Sequence, residues 1–242
     1  MSDGSRHQGL KTVDRGDGSL WETVGRLQLD FLVGHGLRPH HRLLDVGCGT
    51  LRGGVRVAEY LEPGHYHGIE VNPSLLDTGY QRELTPHARE RLPRENLRAT
   101  DRFDCDFGVP FDYAIAPSLF SHIPLNHIRL CLYRVAHVMA PGGRFFATFS
   151  EAPKDFPLDD VQPGARGAWT ERNPFFYYRG DLAWAASFSP WKASYVGDWG
   201  HPRGLKMVEF RRTAGRNGSP GPGRARSLAG LIPHARSGRR SR

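Results

Sequence analysis

The sequence predicts an α/β fold, a single domain on a mostly parallel sheet with helices on both faces. Two observations predict it. Short apolar runs alternate with segments whose apolar residues recur at helical spacing, the order of strands joined by crossover helices. The 242 residues, 38% hydrophobic and 24% charged, are also enough for one sizeable core.

The elements follow in chain order. Residues 1–19 are rich in Gly, Asp and Ser and are expected to form a flexible arm. Leu20, Trp21, Val24, Leu27, Phe31 and Leu32 recur at helical spacing, and Gly34 and Gly36 end that helix. Residues 41–47 read as a buried strand opening into a glycine loop, followed by a helix over 52–61 that Pro63-Gly64 stops. Residues 66–71 form the next strand. Asn72-Pro73-Ser74 opens a helix to about residue 84, with Pro73 in a favourable first-turn position. A polar, Pro-containing stretch comes next. Residues 96–101 and 111–116 are strand candidates, the second the clearer. Ile128, Cys131, Leu132, Val135, Val138 and Met139 mark a helix over 125–139. Pro141-Gly142-Gly143 makes a turn into a strand from Arg144. Residues 152–178, Pro-rich and aromatic, look like an insertion; a helix over 181–188 and a closing pair of strands, 193–196 and 205–211, complete the domain, 20–211.

The net charge of +8 belongs to the C-terminus. Nine arginines and no acid lie in 211–242, whereas residues 1–210 hold 24 basic against 25 acidic residues. The folded part therefore lacks the basic signature of a nucleic-acid enzyme. Residues 212–242 are too poor in apolar side chains to offset the entropy of ordering them, and are expected to be a disordered basic tail. No apolar run is long enough for a bilayer and the N-terminus lacks the apolar centre of a signal peptide, so the expected location is cytoplasmic, with no membrane partner. Cys48, Cys105 and Cys131 form no CxxC pair, so neither zinc nor a disulfide framework is expected.

The strongest motif is LLDVGCGT, residues 43–50. Gly47 and Gly49 let the backbone turn sharply and approach a ligand with no Cβ in the way. Asp45, just inside the strand end, is placed to brace the loop and face a cation. The dinucleotide fingerprint needs Gly at 52, where Arg52 stands, and this argues against NAD and against a pyrophosphate seat. About two dozen residues on, GIEVN puts Glu70 at the end of the second strand, where α/β nucleotide binders catch ribose hydroxyls, two at a time.

LLDVGCGT, GIEVN, FDYAIAPSLFSHIP (111–124) and MAPGGRFFATF (139–149), in this order, resemble the class I S-adenosylmethionine-dependent methyltransferases over residues 21–211. LRGG (51–54) and GDWGHPRG (197–204) resemble a bacterial subgroup of unknown acceptor. The resemblance implies a Rossmann-like, seven-stranded sheet with an antiparallel last strand. It implies S-adenosyl-L-methionine as cofactor, with Asp45, Gly47 and Gly49 around its amino-acid part and Glu70 at the ribose; Cys48 and Val71 beside them are further cofactor-binding candidates. It also implies an adenine site after the third strand, where a carboxylate takes the amino group and a backbone N–H meets a ring nitrogen. Asp101, Arg102 and Phe103 are the candidates; Asp101 fits best, with Asp104 and Asp106 as rivals.

Ala116 and Ser118 follow the fourth strand, beside the expected methyl group. His122 suits a general base for a hydroxyl or amine acceptor, and equally a packing element. His201 falls between the last two strands, in a loop expected to reach the active edge only if the connection is long. Trp169, Phe175, Phe176, Tyr177 and Tyr178 either cap a pocket or pack the insertion onto the sheet.

Three functions compete. The first is O- or N-methyl transfer to a small molecule or metabolite. The second is cofactor binding without turnover, against which the intact glycine loop and Glu70 speak. The third is methylation of a nucleic acid or ribosome, which the arginine-rich tail favours. Against the third, Ala116-Pro117-Ser118-Leu119 stands where many base N-methylating enzymes carry Asn/Asp-Pro-Pro-aromatic.

Overall fold

The computed structural model describes residues 18–153 and 173–214. The expected arm and tail, and Trp169, lie outside these residues, except for residues 18–19 and 212–214.

A long helix opens the domain, α1 (Gly18–Gly34), followed by β1 (Leu43–Val46), α2 (Gly54–Tyr60) and β2 (Tyr66–Glu70). Both strands are buried along their whole length, as expected of parallel strands covered on both faces. α3 (Pro73–Thr78) starts as the sequence suggests: Pro73 takes the first turn and the Asn72 side chain accepts from the Ser74 N–H at 3.0 Å. It runs into a π-helical turn, Gly79–Glu83, where a Cβ on Gly79 would lie 2.8 Å from the Thr50 backbone. The polar stretch beyond holds a further short helix, α4 (Pro86–Arg91). Thr85 caps it on the Ala88 N–H at 3.1 Å, a Thr-Pro start that the residue pattern carries and the periodicity of so short a helix hides.

β3 (Leu97–Ala99), β4 (Phe111–Ala116) and α5 (Leu125–Val138) follow. Ile128, Cys131, Leu132, Val135 and Ala136 form the buried stripe of α5. β5 (Met139–Glu151) is longer than expected because Pro141-Gly142-Gly143 does not separate it from the helix; the turn sits inside it as a bulge, with Gly142 at φ +80°. Next come β6 (Phe176–Tyr177), α6 (Arg179–Ala186), β7 (Trp191–Asp198) and β8 (Lys206–Arg212). β8 ends one residue past the expected boundary, and Thr213 still bonds the Pro190 carbonyl.

The main sheet has seven strands in the order β3-β2-β1-β4-β5-β8-β7, and the two-residue β6 pairs with β5 as an eighth. β1 to β5 are parallel, and β8 is antiparallel to both β5 and β7. β7 therefore runs with β1 to β5, and the β7–β8 loop lies at their carboxyl edge whatever its length. This corrects the expectation for His201.

Two apolar clusters fill the domain. One joins the sheet to α5 and α6 and includes Leu44, Val46 and Phe145; the other joins it to α1, α2, α3 and α4 and includes Leu43, Tyr66 and Phe146. Successive strand residues fall in different clusters because side chains alternate across a sheet. Asp45 thus shares the face of Leu43, against which Tyr66 is registered.

Candidate functional site

The carboxyl ends of β1, β2 and β4 carry the predicted residues into one place. Glu70 is buried and its carboxylate ties two loops together. Oε1 accepts from the Val71 N–H at 2.9 Å and the Asn72 N–H at 3.0 Å, and Oε2 accepts from the Gly49 N–H at 3.0 Å. About four acceptor positions exist on a carboxylate, so about one remains, on Oε2. The bidentate hold expected for Glu70 thus requires one of these backbone partners to give way. Val71, immediately after it, exposes 46% of its surface, an apolar side chain standing open beside a buried acid.

The glycine loop divides its work. Gly47, at φ +77°, faces the chain itself: a Cβ there would meet the Leu119 side chain at 3.2 Å. Gly49, at φ +55°, faces open space: a Cβ there would have nothing within 4 Å. The Cys48 side chain is buried under the loop, its Sγ against Gly68, and burial raises its thiol pKa well above the usual value. Its side chain is directed into the core, leaving only its backbone for a ligand.

Asp45 is buried. Oδ2 accepts from the Tyr66 hydroxyl at 2.7 Å, while Oδ1 is buried with no partner among the described residues. Burial, and to a lesser degree the Glu70 charge, push its pKa up to about 7, against the pull of the Tyr66 hydrogen bond and Arg52. An orphaned carboxylate oxygen on the strand that opens into the glycine loop is what a ligand bearing a positive charge would complete. The residues therefore fit the cofactor that the resemblance implies.

The third and fourth glycines of the loop region, Gly53 and Gly54, pack rather than bind. A Cβ on Gly54 would lie 2.4 Å from the Tyr66 hydroxyl oxygen, and one on Gly53 would overlap the Gln28 side chain. Arg52 precedes them, partly buried, its guanidinium 6.0 Å from the centre of the Trp21 ring; burial and the charge of Arg203 lower its pKa.

After β3, the three acids separate. Asp104 pairs with Arg98 at 3.2 Å, and Asp106 accepts from the Gly108 N–H at 2.9 Å. Asp101 is exposed and its carboxylate has no partner among the described residues. The Arg102 N–H is taken by Thr100 Oγ1 at 3.2 Å. Phe103, at φ +56°, turns its ring onto the cluster with α5 and lines a cavity of about 600 Å³ with Tyr133, His137 and Pro141. That cavity lies where β4 and β5 begin, at the opposite edge of the sheet from Glu70, and Phe103, Asp104 and Asp106 are its members among the candidate site residues.

After β4, Ala116 is fully buried in the sheet and only its backbone is available. Ser118, at φ +61°, donates its N–H to Thr148 Oγ1 at 2.6 Å. Leu51, Phe103 and Ser118 are the non-glycine residues with positive φ among those described; Leu51 and Ser118 lie in the loops after β1 and β4, at the carboxyl edge. Strain of this kind collects at functional sites. The His122 imidazole is exposed, and partial desolvation and the charge of Arg203 lower its pKa below the ordinary 6.5, so it is neutral at pH 7. Phe175 and Tyr177 pack: the Phe175 N–H donates to the Ser121 carbonyl at 2.8 Å, and the Tyr177 hydroxyl to the Ile123 carbonyl at 2.8 Å.

Sequence reasoning singled out GDWGHPRG and His201 but discounted the β7–β8 loop. His201 is buried there, and burial with the charges of Arg52 and Arg203 pushes its pKa down to about 4. The signal was available: an antiparallel last strand places the connection before it at the active edge.

A family model described as a methyltransferase domain matches residues 44–145. Among solved structures, the chain is similar to an amino pentose methyltransferase from Micromonospora echinaspora involved in calicheamicin biosynthesis, with S-adenosylmethionine bound. The two are 21% identical, the match covers 86% of this chain and 100% of that one, and the TM-score is 0.58. A sugar N-methyltransferase from Streptoalloteichus is 19% identical, with 88% and 99% covered and a TM-score of 0.58. A magnesium protoporphyrin IX methyltransferase from Synechocystis, with S-adenosylhomocysteine bound, is 16% identical, with 85% and 90% covered and a TM-score of 0.55. At these identities the likeness is one of fold. No described helix is long and apolar enough to cross a membrane.

Proposed function

We propose that this chain, a class I S-adenosylmethionine-dependent methyltransferase, transfers the cofactor's methyl group to an oxygen or nitrogen of a small-molecule acceptor. The observation that carries the reading is the junction of the first two loops. Glu70 fastens the Gly49 N–H and keeps about one acceptor position free, while Asp45 presents an unpartnered oxygen beside it. Glu70 is the residue for the ribose and Asp45 for the positively charged amino-acid part. Val71 offers an apolar surface to the adenine, and Asp101, the uncommitted acid of its loop, a carboxylate to the adenine amino group.

The cofactor supplies a methyl group activated by a sulfonium. The chain's contribution is to hold the acceptor in line with it and to exclude competing geometry, which is a large share of what such an enzyme needs. When the acceptor is a hydroxyl or an amine, its proton must leave as the new bond forms. His122, neutral at pH 7 and exposed in the loop after β4, takes that proton. The fold relatives named above act on an amino pentose, a sugar and a porphyrin, and so support a small acceptor.

Incubation with methyl-labelled cofactor and a panel of amino sugars, phenols and carboxylates and, in parallel, with RNA and DNA, followed by mass analysis, tests this. A labelled small molecule supports the reading. Label confined to nucleic acid, with none in any small molecule, refutes it.

A further inference from the structure

The β7–β8 loop is closed on itself and pinned to α1. The Trp199 indole N–H donates to the Leu205 carbonyl at 3.0 Å, and the Trp199 ring meets Phe31 edge-on at 5.6 Å and stacks on His201 at 5.4 Å. His201 Nδ1 accepts from the Arg203 N–H at 3.2 Å, and the His201 carbonyl from the Gly204 N–H at 2.8 Å. Arg203 is thereby presented, exposed, from a fixed loop. The same helix holds Arg52: the Arg52 carbonyl lies against Gly25, and Trp21 lies under its guanidinium.

Two guanidiniums are thus brought to one edge of the sheet, where the charge of Arg203 is felt by Arg52 and by His122 and His201. Neither has a hydrogen-bond or ion-pair partner among the described residues. Asp45, the acid that acts on Arg52, already accepts from Tyr66. Like charges held together without a counterion lack the anion that would relieve their repulsion, and a planar guanidinium matches a carboxylate or phosphate in two-point fashion.

We propose that Arg203 and Arg52 form a seat for a carboxylate or phosphate group carried by the methyl acceptor. The proposal rests on the methyltransferase reading and narrows it to anionic acceptors. It places the bound anion next to His122, the residue assigned to the acceptor's proton. The carboxylate of the cofactor's own amino-acid part has the same chemistry and is the rival source.

Calorimetry on the full chain separates the two. Protein is first saturated with S-adenosylhomocysteine, then titrated with inorganic phosphate at constant ionic strength. The expected result is saturable phosphate binding that Arg203→Gln weakens about tenfold or more, with S-adenosylhomocysteine affinity held within about twofold. Retained S-adenosylhomocysteine binding also shows that the variant is folded. Phosphate competing with S-adenosylhomocysteine, or Arg203→Gln weakening S-adenosylhomocysteine about tenfold, would assign the seat to the cofactor and overturn the proposal. So would phosphate binding that is absent or indifferent to the substitution. Failure of S-adenosylhomocysteine to bind the unaltered protein, seen before any phosphate is added, contradicts the methyltransferase reading itself.

Discussion

The Tyr66 hydroxyl donates to Asp45 Oδ2 at 2.7 Å, and Gly54 leaves it the room to do so. A Cβ on Gly54 would stand 2.4 Å from the hydroxyl oxygen. Gly54→Ala should therefore push the ring off Asp45 and destabilise the domain by about 1–3 kcal/mol, the usual range for overpacking. Alanine's better helix propensity offsets at most about 1 kcal/mol of this. Urea unfolding checks it; a variant as stable as the parent would show that Tyr66 is not confined by Gly54.

The pKa of about 7 at Asp45 makes two things depend on pH. A cofactor with positive charge beside Asp45 favours the ionised carboxylate, so its affinity should rise with pH up to about 7 and flatten above, with a limiting slope of about tenfold per unit. His201, at about 4, has already lost its proton across that range. Stability moves the other way. The folded value lies above the ordinary 3.8, so the contribution of Asp45 is present below pH 3.8 and is lost as pH rises through about 7. Asp45→Asn should flatten the affinity profile and gain stability relative to the parent between pH 5 and 8. Calorimetry and thermal melts read both; a parent affinity that does not change between pH 6 and 8 would remove Asp45 from the cofactor's charge.

Glu70 holds three backbone N–H groups as well as the expected ribose position. Glu70→Ala should weaken cofactor binding by about 1–3 kcal/mol and also lower the melting temperature, because three backbone donors that hold the two loops together lose a charged acceptor. Gly49→Ala separates the two effects. Its Cβ meets no atom of the chain, so stability should fall only by the left-handed backbone cost of about 1–2 kcal/mol, while cofactor affinity drops. Unchanged affinity in both variants would move the ligand elsewhere.

Much of this site was legible because it depends on residue types with one clear use. Gly47 and Gly49 at positive φ, Glu70 at a strand end and Asn72-Pro73 at a helix start each announce their geometry. What could not be read depends on distance in three dimensions. Leu51, Phe103 and Ser118 are not types that favour positive φ, and only the surrounding fold holds them there. Cys48 sits inside the motif, yet its side chain leaves the ligand side because Gly68 on β2 makes room for it. Asp101 was separable from Asp104 and Asp106 only once Arg98 and Gly108 had claimed the other two. Arg52 entered as a missing glycine; its pairing with Arg203 joins residues on different loops through α1.

His122→Ala should lower turnover more than cofactor affinity, by the factor of about 10²–10⁴ typical of a lost general base. Because its pKa is depressed below the ordinary 6.5, parent turnover should fall only on acidification below that value, and the variant should lose this limb. Steady-state kinetics with the acceptor found by labelling checks both. Parent-like turnover in the variant would reduce His122 to packing.

The most direct test of the central claim, that the β1 and β2 loops form an S-adenosylmethionine site, is a calorimetric titration of the intact chain with S-adenosylhomocysteine and, separately, with NAD. The account predicts saturable one-to-one binding of S-adenosylhomocysteine that Glu70→Ala weakens, and no binding of NAD, since Arg52 occupies the third glycine position of the dinucleotide loop. Saturable NAD binding with none for S-adenosylhomocysteine would contradict it.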